Sequence, residues 1–209
     1  MIIFFVNIKG GTGKTTLSLA LANYLTTEHH IPLLLIDLDH KQSIISVAEN
    51  AKSLHLNPLY QIKEKSDNFL NQALSFKKQN NDAVVIIDTP NVLDHTDYIH
   101  LLNMQNSLVI CPFKYDELNF QGPILTATFL QKINPHIKIS FIPNRIKSSN
   151  STWGHQEKNE LLKKYGEVSS PLADKIHFES INNVHTPANI IEDLFIVFNE
   201  IFKNQFNTS

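Results

Sequence analysis

The chain has 209 residues, 42% hydrophobic and 18% charged, with six glycines and nine prolines, which suits one sizeable α/β core and excludes disordered and fibrous classes. The formal net charge is −2 with ten histidines, so the total alone gives no sign of a polyanion-binding protein. A single cysteine, Cys111, excludes a disulfide framework or a multi-thiolate metal site within one chain and makes a reducing, cytosolic compartment the expectation.

Residues 1–6 are apolar for only a few positions before Asn7 and Lys9, without the basic leader or small-residue cleavage site of a signal peptide. No stretch approaches the ~20 apolar residues that cross a bilayer, so a soluble intracellular protein is expected. Apolar runs of strand length then alternate with amphipathic segments of helix length, the pattern of a parallel sheet covered on both faces. Strands are predicted at 2–8, 33–38, 83–88, 108–112 and 137–142, with a weaker one near 59–62. Helices are predicted at 14–29, 43–54, 67–78, 94–105, 116–133 and 152–165, and a last one from Pro187 to about residue 206. No repeat or Pro/Ser/Gly linker divides the sequence, so one domain over 1–209 is expected. Residues 167–186 read as a loop with a short strand or helix.

Directly after the first predicted strand stands Lys9-Gly10-Gly11-Thr12-Gly13-Lys14-Thr15-Thr16, running into a helical pattern at Leu17, Leu21, Ala22 and Leu25. Glycines let successive backbone N–H groups turn inward around a phosphate, and the helix N-terminus adds partial positive charge. In such a loop Lys14 reaches the β- and γ-phosphates and the Thr15 hydroxyl takes a magnesium position. Ile8 stands where the ordinary loop has its first glycine, and Lys9 is an added lysine. Because Lys14 already serves the phosphates, a second lysine calls for its own explanation.

The run Lys9 to Thr16 resembles the deviant Walker A motif of the ParA/MinD family of ATPases. That resemblance implies a single-domain P-loop NTPase of α/β class, with a mostly parallel twisted sheet and helices on both faces. It implies ATP and Mg2+ as cofactors and an ATP-dependent homodimer in which Lys9 reaches the nucleotide bound by the other subunit. Gly10, Gly11, Thr12, Gly13, Lys14, Thr15 and Thr16 form the implied nucleotide loop.

The second strand delivers Asp37 and Asp39 at its C-terminal end, on one face. The segment Asp37 to Gln42 resembles the family's switch I, with His40 in place of its proline. The resemblance makes Asp39 the residue that positions the attacking water and Asp37 a supporting group near magnesium. The run Val84-Val85-Ile86-Ile87-Asp88-Thr89-Pro90 resembles the family's Walker B and makes Asp88 a magnesium residue. A later strand ends Pro143-Asn144-Arg145-Ile146-Lys147. Guanine-binding loops put an aspartate where Lys147 stands, and lysine cannot accept a hydrogen bond, whereas Asn144 can pair with adenine. ATP is therefore favoured over GTP.

Within the family, a lone Cys111 excludes members that share a metal cluster between paired cysteines. The last predicted helix carries an apolar stripe at Ile191, Leu194, Phe195, Phe198, Ile201 and Phe202, but Glu192, Asp193 and Glu200 lie on its polar side with only Lys203. An anionic membrane would repel that face, so the helix reads as packed on the sheet and no membrane is expected as partner. The sequence starts at the first strand and so resembles the short ParA type, which is expected not to read an operator itself. Between residues 132 and 164 seven basic residues face two acidic ones, a local +5 that leaves −7 elsewhere. Such a surface suits salt-sensitive contact with DNA phosphates; a solvated helical face is the alternative. Lys147, Lys163, Lys164 and Lys175 are the candidate DNA residues, the last because it resembles a basic position of short ParA proteins.

The expected function is thus a ParA-like ATPase of low intrinsic activity that binds DNA nonspecifically, is nucleoid-associated, and drives plasmid or chromosome partition with a ParB-like or centromere-binding partner. The alternatives are a MinD-like or cargo-positioning ATPase and a dethiobiotin-synthetase-like metabolic enzyme.

Overall fold

The computed structural model describes residues 1–39, 41–91, 99–104, 106–147 and 154–203. Seven strands form one continuous sheet: β1 (Ile2–Phe5), β2 (Leu33–Asp37), β3 (Gln61–Glu64), β4 (Val84–Asp88), β5 (Ser107–Phe113), β6 (Lys138–Pro143) and β7 (Glu167–Val168). Their order is β3-β2-β4-β1-β5-β6-β7 and every pair is parallel. The doubly wound sheet expected from the alternating pattern is therefore present, and among the described residues it is parallel throughout.

Among the described residues seven helices accompany it: α1 (Lys14–His29), α2 (Ser43–Ser53), α3 (Phe69–Gln79), α4 (Ile99–Leu102), α5 (Glu117–Ile133), α6 (His155–Leu162) and α7 (Ala188–Phe202). Alternation along β1 divides the apolar material into two layers. Ile3 and Phe5 join α1 and α7 in one core, with Leu17, Leu21, Leu25, Leu194 and Phe198. Ile2 and Phe4 join the other, with Phe69 of α3, Leu102 of α4, Leu130 of α5 and Leu162 of α6. The apolar stripe of α7 turns mostly into the protein: Leu194, Phe198 and Phe202 are buried with Ile190 and Val197, Ile191, Phe195 and Ile201 are half-buried, and Ile196 beside them is exposed.

Differences from the predicted bounds have local causes. β1 ends at Phe5 rather than residue 8, although the Val6 N–H still donates to Ile110 O at 3.0 Å. Beyond it Asn7 leaves the ladder, its Nδ2 donating to Pro112 O at 2.8 Å and its Oδ1 accepting the Lys9 N–H at 2.9 Å. The stretch 167–186 supplies the short edge strand β7 and a 3-10 turn at Ile176–Ser180. The predicted helices at 94–105 and 152–165 are described only as α4 and α6. Residues 94–98, 105, 152 and 153 lie outside the described residues, as does 204–206 of the last helix.

The sheet order reverses around β1. The connection from β1 to β2 passes beyond β4 on one side, and the connection from β4 to β5 crosses to the other side of β1. The carboxyl end of β1 therefore opens at the switch point where open α/β sheets bind ligands.

Candidate functional site

The loop after β1 has the backbone that its glycines permit. Gly11 and Gly13 take φ of 67° and 99°, a region costly for residues with a Cβ. Gly13 carries a second constraint, because a Cβ there would overlap the Asn144 side-chain amide. α1 starts on this residue, with the Leu17 N–H donating to Gly13 O at 2.9 Å, so the first turn's free N–H groups face the loop. The Lys14 side chain is drawn inward, 6% exposed. Its ammonium donates to Asn7 O at 3.2 Å and to Asn91 Oδ1 at 2.7 Å. Burial lowers its pKa, opposed by the charges of Asp88 and Asp39.

Asp88 ends β4 beside Phe5 on one side and Asp37 on the other, in register with both. The Thr15 hydroxyl donates to Asp88 Oδ2 at 2.7 Å, while Asp88 Oδ1 is buried without a hydrogen-bond partner. Burial pushes the carboxyl up to about 7, helped by the charges of Asp37 and Asp39 and opposed by the Thr15 bond and Lys14. A buried carboxylate oxygen lacking a donor, next to a hydroxyl oxygen, is the donor set of a hard divalent cation that draws its remaining ligands from substrate and water. Thr15 and Asp88 therefore fit Mg2+. Among the described residues no group of three or more His, Cys, Asp or Glu side chains makes a metal cluster.

Asp37 is fully buried and both its oxygens accept backbone N–H groups, Oδ1 from Asp39 and Oδ2 from Ile44, each at 3.0 Å. It shapes the turn from β2 into α2 and so presents Asp39, which is half-buried and accepts the Lys41 N–H at 3.1 Å. His40 lies outside the described residues.

A cleft of about 360 Å³ adjoins the loop, lined by Gly13, Thr16, Asn144, Arg145, Ile176 and Phe178 among others. Asn144 is buried; its N–H donates to Phe113 O at 2.7 Å and its Nδ2 to Thr12 O at 2.8 Å, leaving its side-chain oxygen as an acceptor at the cleft. Lys175 stands on the same cleft and pairs with Asp193 of α7 at 2.6 Å. A larger cavity of about 660 Å³ lies at the β7 edge between Ser140, Lys163, Ser170 and Glu200. It holds none of the loop's groups, so the smaller cleft is the candidate base site.

Lys9 is half-buried, and its stem lies on Gly122 of α5, where a Cβ would come within 2.6 Å of Lys9 Cγ and 2.7 Å of Asn7 Oδ1. The Ile8 N–H donates to Thr126 Oγ1 of the same helix at 3.2 Å. Asn7, Asn91, Gly122 and Thr126 thus position the site without having been recognised in the sequence. Asn91 carries a usable signal, standing three residues past Asp88, but Gly122 carries none, since nothing local links a helical glycine to a loop over a hundred residues away. The candidate DNA residues do not gather. Lys147 is exposed beyond the carboxyl end of β6, whereas Lys163 and Lys164 precede β7 at the opposite end of the sheet, Lys163 paired with Glu160 at 2.7 Å.

A profile of the CobQ/CobB/MinD/ParA nucleotide binding domain matches residues 3–187. No curated protein sequence matches significantly. Among solved structures, the fold is similar to a Borrelia burgdorferi B31 protein described as a plasmid partition protein and bound to AMPPNP. That match has a TM-score of 0.72 and 21% identity, covering 97% of this chain and 98% of that one. It is similar to MinD of Aquifex aeolicus at TM-score 0.70 and 15% identity, covering 100% and 99%. It is also similar to pNOB8 ParA bound to nonspecific DNA at TM-score 0.56 and 17% identity, covering 96% and 91%.

Proposed function

This chain belongs to the CobQ/CobB/MinD/ParA nucleotide-binding family, and we propose that within it the protein is a ParA-type ATPase. It binds Mg-ATP at the Lys9 to Thr16 loop and hydrolyses it slowly to ADP and phosphate. The observation that carries this reading is the joint placement of Lys14, the Thr15–Asp88 pair and the additional Lys9 around one loop at the sheet's switch point.

Lys14 and the loop N–H groups hold the β- and γ-phosphates. Thr15 and Asp88 hold the magnesium, which neutralises charge on the phosphate oxygens when bound. Asn144 offers its side-chain oxygen to the adenine amino group. Asp39 orients the attacking water, a task of placement more than of basicity. Lys9 acts across an ATP-dependent homodimer. The dimer binds DNA through phosphate contacts without reading sequence, and a ParB-like partner stimulates hydrolysis and release, as plasmid or chromosome partition requires. Two solved relatives support the task as well as the engine, one described as a plasmid partition protein and one bound to nonspecific DNA. No helix among the described residues is long and apolar enough to cross a membrane, and the packing of Leu194, Phe198 and Phe202 of α7 into the core supports DNA over a lipid surface as the partner.

Light scattering with and without AMPPNP, followed by fluorescence anisotropy on unrelated duplexes at low and high salt, tests the reading. Nucleotide-dependent dimerisation and salt-sensitive binding are expected. A protein that stays monomeric with AMPPNP, or a Lys9→Ala variant that dimerises and turns over as the wild type does, would favour a metabolic P-loop enzyme instead.

A further inference from the structure

We propose that Asn91 is an internal substitute for the phosphate: its side-chain amide holds Lys14, and an incoming nucleotide must displace it. The inference rests on the reading of the loop as a nucleotide site. A nearly buried ammonium must be paired, and Lys14 has two partners, Asn7 O at 3.2 Å and Asn91 Oδ1 at 2.7 Å. The shorter bond is to Asn91. The same amide lies over the loop's first glycine, where a Cβ on Gly10 would stand 3.0 Å from Asn91 Nδ2. One side chain therefore reaches from Gly10 to Lys14, across the space that a phosphate takes in a loop of this kind.

The two partners of Lys14 differ in what they can give up. The Asn7 carbonyl is main chain at the end of β1, and the Asn7 side chain is tied to Pro112 O and to the Lys9 N–H, so it stays. Asn91 is half-buried and follows a pinned segment, because Thr89 is buried with its Oγ1 donating to Phe5 O at 2.8 Å, and Pro90 is buried. The Asn91 side chain is therefore the partner that can be released. A neutral amide oxygen is also a weaker partner for an ammonium than a phosphate oxygen, so the exchange runs toward nucleotide and gives back only the difference between the two bonds. Asn91 thereby sets how readily the loop accepts a nucleotide.

Binding of a fluorescent N-methylanthraniloyl ATP and ADP to the whole chain, without reference to turnover, tests this. Asn91→Ala is expected to bind both about tenfold more tightly, the scale of one hydrogen bond to a charged group. Asn91→Asp, of nearly the same shape, is expected to bind about tenfold more weakly, since a carboxylate holds Lys14 and repels phosphate. Unchanged or weaker binding by Asn91→Ala overturns the proposal, because Asn91 is then a bystander or a phosphate ligand. Tighter or unchanged binding by Asn91→Asp overturns it as well, and that variant decides if Asn91→Ala fails a circular-dichroism check of folding. Failure of the underlying reading looks different: the wild type itself binds neither nucleotide.

Discussion

The Thr15 hydroxyl donates to Asp88 Oδ2 at 2.7 Å, and the other oxygen of Asp88 is buried without a partner. Without a cation, this carboxylate is a liability to the fold. Its pKa is pushed from 3.8 up to about 7, mainly by burial, so the folded state holds a proton that the unfolded state has lost over that interval. The associated stability is full below about pH 4, falls as pH rises, and is gone above about pH 7. Asp88→Asn removes that loss. The melting temperature of the nucleotide-free variant is expected to exceed the wild type's by several degrees at pH 8, with the difference shrinking toward pH 4. The wild type, and not the variant, should gain stability from Mg-AMPPNP. Equal melting temperatures at pH 8 would remove the burial argument.

Gly122 and Lys9 offer a second test, because the Lys9 stem packs on α5 where a side chain is missing. A methyl at residue 122 would meet Lys9 Cγ at 2.6 Å and Asn7 Oδ1 at 2.7 Å. Asn7 also fixes the Lys9 N–H and approaches Lys14 through its carbonyl, so the strain reaches both lysines. Gly122→Ala is expected to cost about 1–3 kcal/mol in urea unfolding, the usual range for overpacking, although alanine is the better helix former. It should weaken nucleotide binding and AMPPNP-dependent dimerisation together. A variant as stable as the wild type would show that α5 can shift without loss.

How much of this was legible beforehand follows from the range of each interaction. The loop, its glycines and the strand-end acids Asp37, Asp39 and Asp88 are local patterns, and the structure brings them to one end of one sheet as their spacing demanded. The helix α1 begins and ends where the sequence placed it, because Gly13 and His30 take left-handed conformations at its two ends. Partnerships made across the chain were not legible. Asn144 supports the loop through Thr12 O at a separation of 132 residues, and Asn91 reaches Lys14 over 77. The backbone partners of Asp37 are of the same kind, since they depend on its burial between β2 and α2, where both its oxygens accept backbone N–H groups.

Asp39 and Lys14 should separate binding from hydrolysis. Lys14 is buried within the loop and Asp39 is half-buried beside it on a turn shaped by Asp37. Lys14→Ala is expected to abolish nucleotide binding in a filter or fluorescence assay. Asp39→Ala is expected to bind ATP within about threefold of wild type, with turnover lower by ~10²-fold or more, the scale of a lost positioning group. A normal rate in Asp39→Ala would take that residue out of the reaction.

The separated lysines give a directional test of DNA contact. Lys147 stands beyond the carboxyl end of β6, near the nucleotide cleft, whereas Lys163 and Lys164 lie before β7 at the other end of the sheet, and Lys163 and Lys175 are engaged with Glu160 and Asp193. One straight duplex cannot lie flat on one end of the sheet and meet both groups. Lys147→Ala and the double change Lys163→Ala, Lys164→Ala should therefore act unequally in anisotropy titrations with AMPPNP. The variant on the contacting end should lower the log-affinity against log-salt slope by about one per lysine removed, and the other should leave it unchanged. Since each engaged lysine already has a carboxylate partner, mutating Asp193 to Asn should free Lys175 and strengthen binding if that end faces DNA. No change in slope for any of these variants would place the contact elsewhere on the protein.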